Sequence, residues 1–415
     1  MNAADGRRPH PSSRTNPIFL TAGFEFDEYG DALANFADGV GYAYTRIANP
    51  TIEAVEHTLA ELEGGSQALM LASGQAATTV AALCVLGAGQ HIVSSTHIYE
   101  GTRGLFRDNF VRLGIETTFV EDTGDLAAWE GAIRPETRAL FIESISNAAN
   151  RLVDISALAE LAHSHGAALI VDNTFATPYL MRPLERGADI VVHSASKFLA
   201  GHGSVLGGAI VDSGRFDTAR AAELYPHLTA PGYLGGPSFV ERAGGDARIT
   251  YARESVAARF GPTPSPLNAF LIGQGIETLS LRVERQSANA LAVAQWLQAR
   301  SEVESVDYVG LPSHPDHERG VRDLPNGFGS VFSFTVSGGA AGARRFVEAL
   351  EVFTHMTHLG DVRSLVLHPA STSHVFLSEQ EQAAVGVHPG TLRLSIGIEE
   401  VDDLTGDLAR ALAAV

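Results

Sequence analysis

The segment Asp189-Ile190-Val191-Val192-His193-Ser194-Ala195-Ser196-Lys197 runs from a β-branched apolar stretch straight into small hydroxyl residues and a lysine. A short apolar run of this composition predicts a strand, Ile190–His193, buried on both faces as in a parallel sheet. Gly201, Gly203, Gly207 and Gly208 follow it and let backbone approach a ligand. Loops at the carboxyl ends of such strands are where open α/β sheets bind their ligands.

The lysine at the end of this segment is singular. Among the 29 basic residues it is the only lysine, and the others are all arginine. An Arg-rich bias accounts for the lysines that are missing but not for the one retained. Arginine stays protonated, whereas a lysine amine can lose its proton and form an imine with a carbonyl compound. Lys197 is therefore a candidate nucleophile, rigidly placed by its strand.

Working outward, the chain from about Gln67 to Val211 alternates helical and strand patterns. A helix over Ala76–Leu86 is opened by Ser73-Gly74, and strands are predicted at His91–Ser94, Arg138–Glu143 and Ala168–Val171. An amphipathic helix covers Ile155–His163, placing His163 and His165 at a helix end. This order predicts βαβ units and a mostly parallel sheet covered on both faces. Between about Glu223 and Thr263, the breakers Pro226, Pro231, Gly232, Gly235, Gly236 and Pro237 predict a loop-rich excursion. A long helix around Ile276–Ala299, a strand at Val331–Val336 and helices at Ala341–Leu350 and Val401–Leu412 then read as a smaller α+β domain. The expected division is an N-terminal arm over residues 1–62, a large domain over 63–262 and a small domain over 263–415.

Composition narrows the function. Hydrophobic residues at 45% and charged residues at 19% describe a globular chain. A net charge of −19 speaks against nucleic-acid or anionic-membrane partners, which are bound through cationic surface. No apolar run reaches the roughly 18 residues of a membrane span, and the N-terminus lacks a signal-peptide pattern, so a cytoplasmic enzyme is expected. The single cysteine, Cys84, reads as core filling within Ala81–Leu86. The pairs His314/His317 and His355/His358 have ligand-like spacing but no cysteine or carboxylate partners, so no metal is expected.

Three further features gather around Lys197. The strand at Ala168–Val171 ends in Asp172, a carboxylate able to pair with a pyridinium nitrogen, although such residues also cap turns. Ser73-Gly74-Gln75 opens a helix whose free amides and dipole suit a phosphate. Tyr99 is a candidate to stack on a planar ring. Amine, carboxylate, helix N-terminus and aromatic face are together what pyridoxal 5'-phosphate (PLP) requires of a protein.

Here a resemblance becomes specific. Tyr44-Thr45-Arg46 followed by Asn49-Pro50-Thr51, then Val171–Pro178, His193–Lys197, Ser364–His374 and Arg393–Glu399, closely resemble the Cys/Met-metabolism PLP family. The likeness runs from about Thr15 to the C-terminus. It implies the α/β architecture of fold type I PLP-dependent transferases, with a large, mostly parallel sheet domain and a smaller α+β C-terminal domain. It implies that Lys197 carries the cofactor and then shuttles protons, with Tyr99 stacked on the ring, Asp172 at the ring nitrogen and Asn147 at the phenolic oxygen. Gly74 and Gln75 amides with Ser194 and Ser196 hydroxyls would hold the phosphate, completed by Tyr44 and Arg46 of a neighbouring subunit. A homodimer is then required, and a tetramer is the family habit. Arg393 would clamp the substrate carboxylate.

Gly201-His202-Gly203, Gly360–Leu365 and Pro369–Thr372 resemble the sulfhydrylase branch of that family, which implies γ-replacement on O-acetylhomoserine by sulfide or a small thiol. Gly101 falls where γ-lyases tend to carry cysteine. The chain also departs from the family pattern: Ser146-Asn147-Ala148 replaces Gly-Asn-Pro, Glu100 replaces glycine and Gln286 replaces histidine. His358, where serine or asparagine is usual, is expected near the substrate, as a packing substitution or as a base able to switch charge near neutral pH.

Overall fold

The computed structural model describes residues 13–147, 150–217, 220–232 and 235–415. The strands Gln67–Leu71 (β1), His91–Ser95 (β2), Glu116–Val120 (β3), Thr137–Glu143 (β4), Ala168–Asp172 (β5), Ile190–His193 (β6) and Gly208–Asp212 (β7) form one sheet in the order β1-β7-β6-β5-β4-β2-β3. The five strands from β6 to β3 are parallel, and β7 runs antiparallel to both β6 and β1. Alternate side chains enter opposite cores: Val191 and Val171 join one cluster, Ile190, Val192 and Ile170 the other. The sheet is therefore covered on both faces, which explains why its strands read as continuous apolar runs.

A second sheet of five strands is built from Val303–Asp307 (β8), Val331–Val336 (β9), Thr354–His355 (β10), Leu365–Leu367 (β11) and Thr391–Ser395 (β12), in the order β10-β11-β12-β9-β8. Its core of Phe332, Phe334, Leu392 and Leu394 packs on helices Leu279–Gln298, Gly339–Glu348 and Val401–Leu412. The α/β architecture with a mostly parallel large sheet and a smaller α+β unit is as the sequence implied.

The sequence reading is corrected at three points. The stretch from 223 to 263 is not a loop-rich excursion, because its second half is a nearly continuous helical run: Phe239–Ala243, Gly244–Asp246, Ala247–Tyr251, Ala252–Ala257 and Ala258–Phe260. Ser238 and Glu241 form a capping box that starts it. Gly245 is glycine because a Cβ there would lie 2.2 Å from the Gly214 carbonyl, so its cause is close packing and not a turn. The long helix expected around Ile276–Ala299 is present as Leu279–Gln298, and a further helix that the sequence reading lacked, Pro266–Glu277, precedes it and meets it at Thr278. Strands β1, β3, β7, β8, β10 and β11 lay outside the sequence reading; β3 carries the polar Glu116-Thr117-Thr118, and β7 follows a glycine-rich loop.

Cys84 is buried in the core, as expected. His163 lies in the last helical turn and bonds Asp189 at 2.9 Å. No helix among the described residues is long and apolar enough to cross a membrane.

Candidate active site

Three strand ends and one helix start converge on Lys197. Strand β6 stops at His193, after which the Ser194 amide donates to the Thr174 hydroxyl at 2.8 Å and the Lys197 amide to the Ser194 carbonyl at 3.1 Å. The lysine side chain is half-buried. Burial, aided by the nearby Arg393 guanidinium, lowers its amine to about 8, so a free amine is accessible near neutral pH.

Asp172 ends β5 and Glu143 ends the adjacent β4, in register with it. Asp172 accepts the Thr174 amide at 2.9 Å, and burial raises its carboxyl above the usual range. Glu143 is a site residue that the sequence reading missed, because it reads as the polar close of an apolar strand. Its two oxygens accept the amides of Tyr99 at 2.6 Å and Asn147 at 3.0 Å, fastening two expected cofactor contacts at once. Burial and the neighbouring Asp172 charge push Glu143 up to about 8.

The helix Gly74–Leu83 is capped by Ser73, whose hydroxyl accepts the Ala76 amide at 3.2 Å. Its leading amides have no partner within the helix. Gly74 is required there because a Cβ would fall 2.7 Å from the Ser194 Cβ, so the helix start abuts the loop that carries Lys197. The Gln75 side chain donates to the Gly101 carbonyl at 3.0 Å and accepts from Thr102 at 3.1 Å, tying the Tyr99 loop to this helix. The Ser196 hydroxyl is engaged with Gly207, donating at 3.2 Å and accepting at 3.0 Å.

Arg393, buried in β12, reaches the same place from the smaller sheet. It donates to the Asn147 side-chain oxygen at 3.1 Å and the His358 carbonyl at 3.3 Å. Burial lowers its guanidinium to about 10, as expected for a cation whose partners here are neutral oxygens. His358 places Nδ1 3.0 Å from the Lys197 amine. Burial and the neighbouring Lys197 charge lower it to about 4, so the ring is neutral near neutral pH instead of switching its charge there.

Tyr44 and Arg46 stand apart from this group. Tyr44 is paired with Gly23 and partly exposed, while Arg46 sits 5.4 Å from its ring centroid and donates to the Ala258 carbonyl. Of the departures from the family pattern, Ser146 is a buried turn residue bonded to Arg151, Gln286 donates to the Asp361 carbonyl at 2.8 Å, and Glu100 lies within 3.9 Å of Arg103 and Arg107. Ala148 and residues 1–12 lie outside the described residues. His314 and His317 are engaged in local backbone bonds, to the Asp316 amide and the Val309 carbonyl.

An amine with a lowered pKa, a carboxyl at a strand end, a helix N-terminus against a serine and an aromatic ring define the class: a fold type I PLP-dependent enzyme, its donor set suited to each part of that cofactor. The chain belongs to the Cys/Met metabolism PLP-dependent enzyme family, whose model matches residues 2–413. It is 42% identical to an O-acetyl-L-homoserine sulfhydrylase of Corynebacterium glutamicum, covering 97% of this chain and 93% of that protein. It is 40% identical to an O-succinylhomoserine sulfhydrylase of Pseudomonas aeruginosa, over 99% and 94% respectively. A solved O-acetylhomoserine (thiol)-lyase structure from Campylobacter jejuni matches with a TM-score of 0.92 at 33% identity, covering 97% of this chain and 96% of that one. That structure carries a pyridoxyl-lysine monophosphate adduct.

Proposed function

We propose that the protein replaces the acyloxy group on the γ-carbon of O-acetyl-L-homoserine with sulfide, releasing homocysteine and acetate. The observation that carries the amino-acid part is Arg393: a buried guanidinium beside Lys197 whose partners are the neutral oxygens of Asn147 and His358 leaves its charge available for an α-carboxylate. The choice of donor and acceptor is supported by the names of the full-length relatives.

Bound PLP would supply an aldehyde for the substrate amine and a ring that withdraws electrons from the α-carbon. Lys197 would hold it, with Asp172 at the ring nitrogen, Tyr99 against the ring and Asn147 at the phenolic oxygen. The Gly74 and Gln75 amides with the Ser194 and Ser196 hydroxyls would meet the phosphate. The chain's own residues then have two tasks. Arg393 holds the carboxylate, and the Lys197 amine takes a proton from the α-carbon, releases it, and then takes one from the β-carbon, so that acetate leaves the γ-carbon. After sulfide adds there, Lys197 gives a proton back to the β-carbon and, once protonated again, one to the α-carbon.

The same reading makes the chain a cytoplasmic homo-oligomer, at least a dimer and by family habit a tetramer, with residues 1–62 as its intersubunit arm, 63–262 as the cofactor-binding domain and 263–415 as the small domain. The helix Tyr29–Asp38 exposes Tyr29, Leu33 and Phe36, an apolar face suited to a second copy, and Tyr44 and Arg46 lie close to it in sequence.

Incubation with O-acetyl-, O-succinyl- and O-phosphohomoserine, each with sulfide, methanethiol, cysteine or no nucleophile, tests the reading by mass spectrometry. Homocysteine from O-acetylhomoserine and sulfide is expected. Ammonia and a keto acid formed without a nucleophile would identify a lyase instead.

A further inference from the structure

The segment between β10 and β11 belongs to the smaller sheet, yet it is clasped to the larger one. The Val362 amide donates to the Gly201 carbonyl at 2.9 Å, and Arg363 reaches the His202 carbonyl at 3.2 Å. Gly360 takes a left-handed conformation with φ 73°, where a Cβ would strike Phe198, and its amide donates to the Ser395 hydroxyl at 2.9 Å. His358 is mounted on this segment by its own carbonyl, which accepts from Arg393. A Cβ at Gly203 would lie 3.7 Å from the His358 ring. A flexible four-carbon lysine side chain thus meets an imidazole whose backbone is fixed from three directions.

We propose that His358 is a positioning residue for Lys197, its Nδ1 accepting an N–H of the lysine amine and holding that amine in one place between proton transfers. The role rests on the reading that Lys197 moves protons. Whether the lysine is an amine or an ammonium, an N–H is available, and only the ammonium lacks a lone pair. The arrangement that serves both states has the lone pair on Nδ1 and the ring proton on Nε2. That Nε2 is buried and has no hydrogen-bond partner among the described residues. A buried N–H left unpaired is a cost that packing alone gives no reason to keep.

The proton's location decides between holding and relaying. The charged groups facing the pair are Arg393 and Arg363, which oppose a further positive charge, and Asp361, which favours one. With Lys197 near 8 and His358 near 4, a proton shared by the two side chains belongs on the lysine. His358 therefore orients the amine without taking its proton.

Because Lys197 is the only lysine, full-length protein made with ε-15N-lysine and freed of cofactor gives one side-chain amine signal, whose pH midpoint can be followed directly. An acceptor stabilises the ammonium more than the amine. His358→Leu, which has no acceptor, should lower that midpoint by roughly one unit, and His358→Asn, which keeps an oxygen acceptor, by clearly less. In the loaded enzyme His358→Leu should lower kcat about tenfold with little change in KM, the pattern of a misplaced proton carrier. An unchanged midpoint in His358→Leu overturns the proposal. So does a wild-type imidazole 15N spectrum showing the ring proton on Nδ1, a measurement that stands even where the leucine variant does not fold. If wild-type enzyme turns over no homoserine ester, the functional reading fails, while the lysine midpoints still decide the contact.

Discussion

Glu143 and Asp172 close neighbouring parallel strands in register, so two carboxylates stand side by side beneath the expected position of the cofactor ring. Burial disfavours the charged carboxylate, and the like charge of Asp172 beside it adds to the effect, which is why Glu143 rises from 4.5 to about 8. The consequence for stability has a definite sign. As pH rises through 4.5 the unfolded chain loses this proton, while the folded chain keeps it until about 8. Between those values the folded state binds more protons, so Glu143 makes stability fall with rising pH. Glu143→Gln cannot titrate. Denaturant titrations of cofactor-free protein across this window should show a flatter pH dependence in the variant, and parallel curves would count against the assignment. The amide can accept only one of the two backbone N–H groups that Glu143 holds, so cofactor affinity should drop about tenfold, measured by PLP titration.

Gly101 lies under the Tyr99 ring. A Cβ built at this position falls 2.4 Å from Tyr99 Cε1, so any side chain must displace the ring. Gly101→Ala should therefore disturb the stacking face while leaving Lys197 untouched. We expect the visible absorbance of the bound cofactor to shift and KM for O-acetylhomoserine to rise several-fold, with borohydride still fixing the cofactor on the Lys197 peptide. An unchanged spectrum and KM would show that Tyr99 does not stack.

Tyr44 and Arg46 make no hydrogen bond to the Lys197 group among the described residues, and Arg46 instead donates to Ala258 of its own chain. If they complete the phosphate site of a second subunit, Arg46→Ala and Lys197→Ala should each be inactive alone. Co-refolded as mixed oligomers, they should regain up to about a quarter of wild-type activity through hybrid sites, since charge-assisted phosphate contacts are among the strong ones. Mixed oligomers confirmed by native mass spectrometry but devoid of activity would place Arg46 outside the second subunit's site.

What the sequence revealed of this site follows from how each residue signals itself. Lys197 is legible because it is unique and follows a β-branched strand, and Asp172 because it ends another. The helix start at Gly74 is legible because Ser73 is a strong cap. Glu143 was not, since its role lies in two backbone amides brought to it from distant loops. Neither was the pair of Glu63 and His193, joined at 2.6 Å in the core, with Glu63 also holding Asn173 at 2.9 Å, because nothing in a local window links the end of one helix to a strand far along the chain. The helix after Ser238 was hidden for the opposite reason: Gly244 and Gly245 signal a break locally, whereas Gly245 is demanded by tight backbone packing. The side chain of His358 meets Lys197, and its charge depends on burial and on cations that only the fold assembles.

The clasp between the two sheets has a mechanical side. Lys197 and Asn147 hang from the larger sheet, His358 and Arg393 from the smaller, and the pairs Lys197–His358 and Asn147–Arg393 bridge the seam at 3.0 and 3.1 Å. A carboxylate drawn to Arg393 competes with Asn147 for the same guanidinium, so substrate arrival acts on the seam as well as on the chemistry. The amine proposed to move protons and the cation proposed to grip the substrate are thus geared to one joint, and a slip of one sheet over the other would part both pairs together.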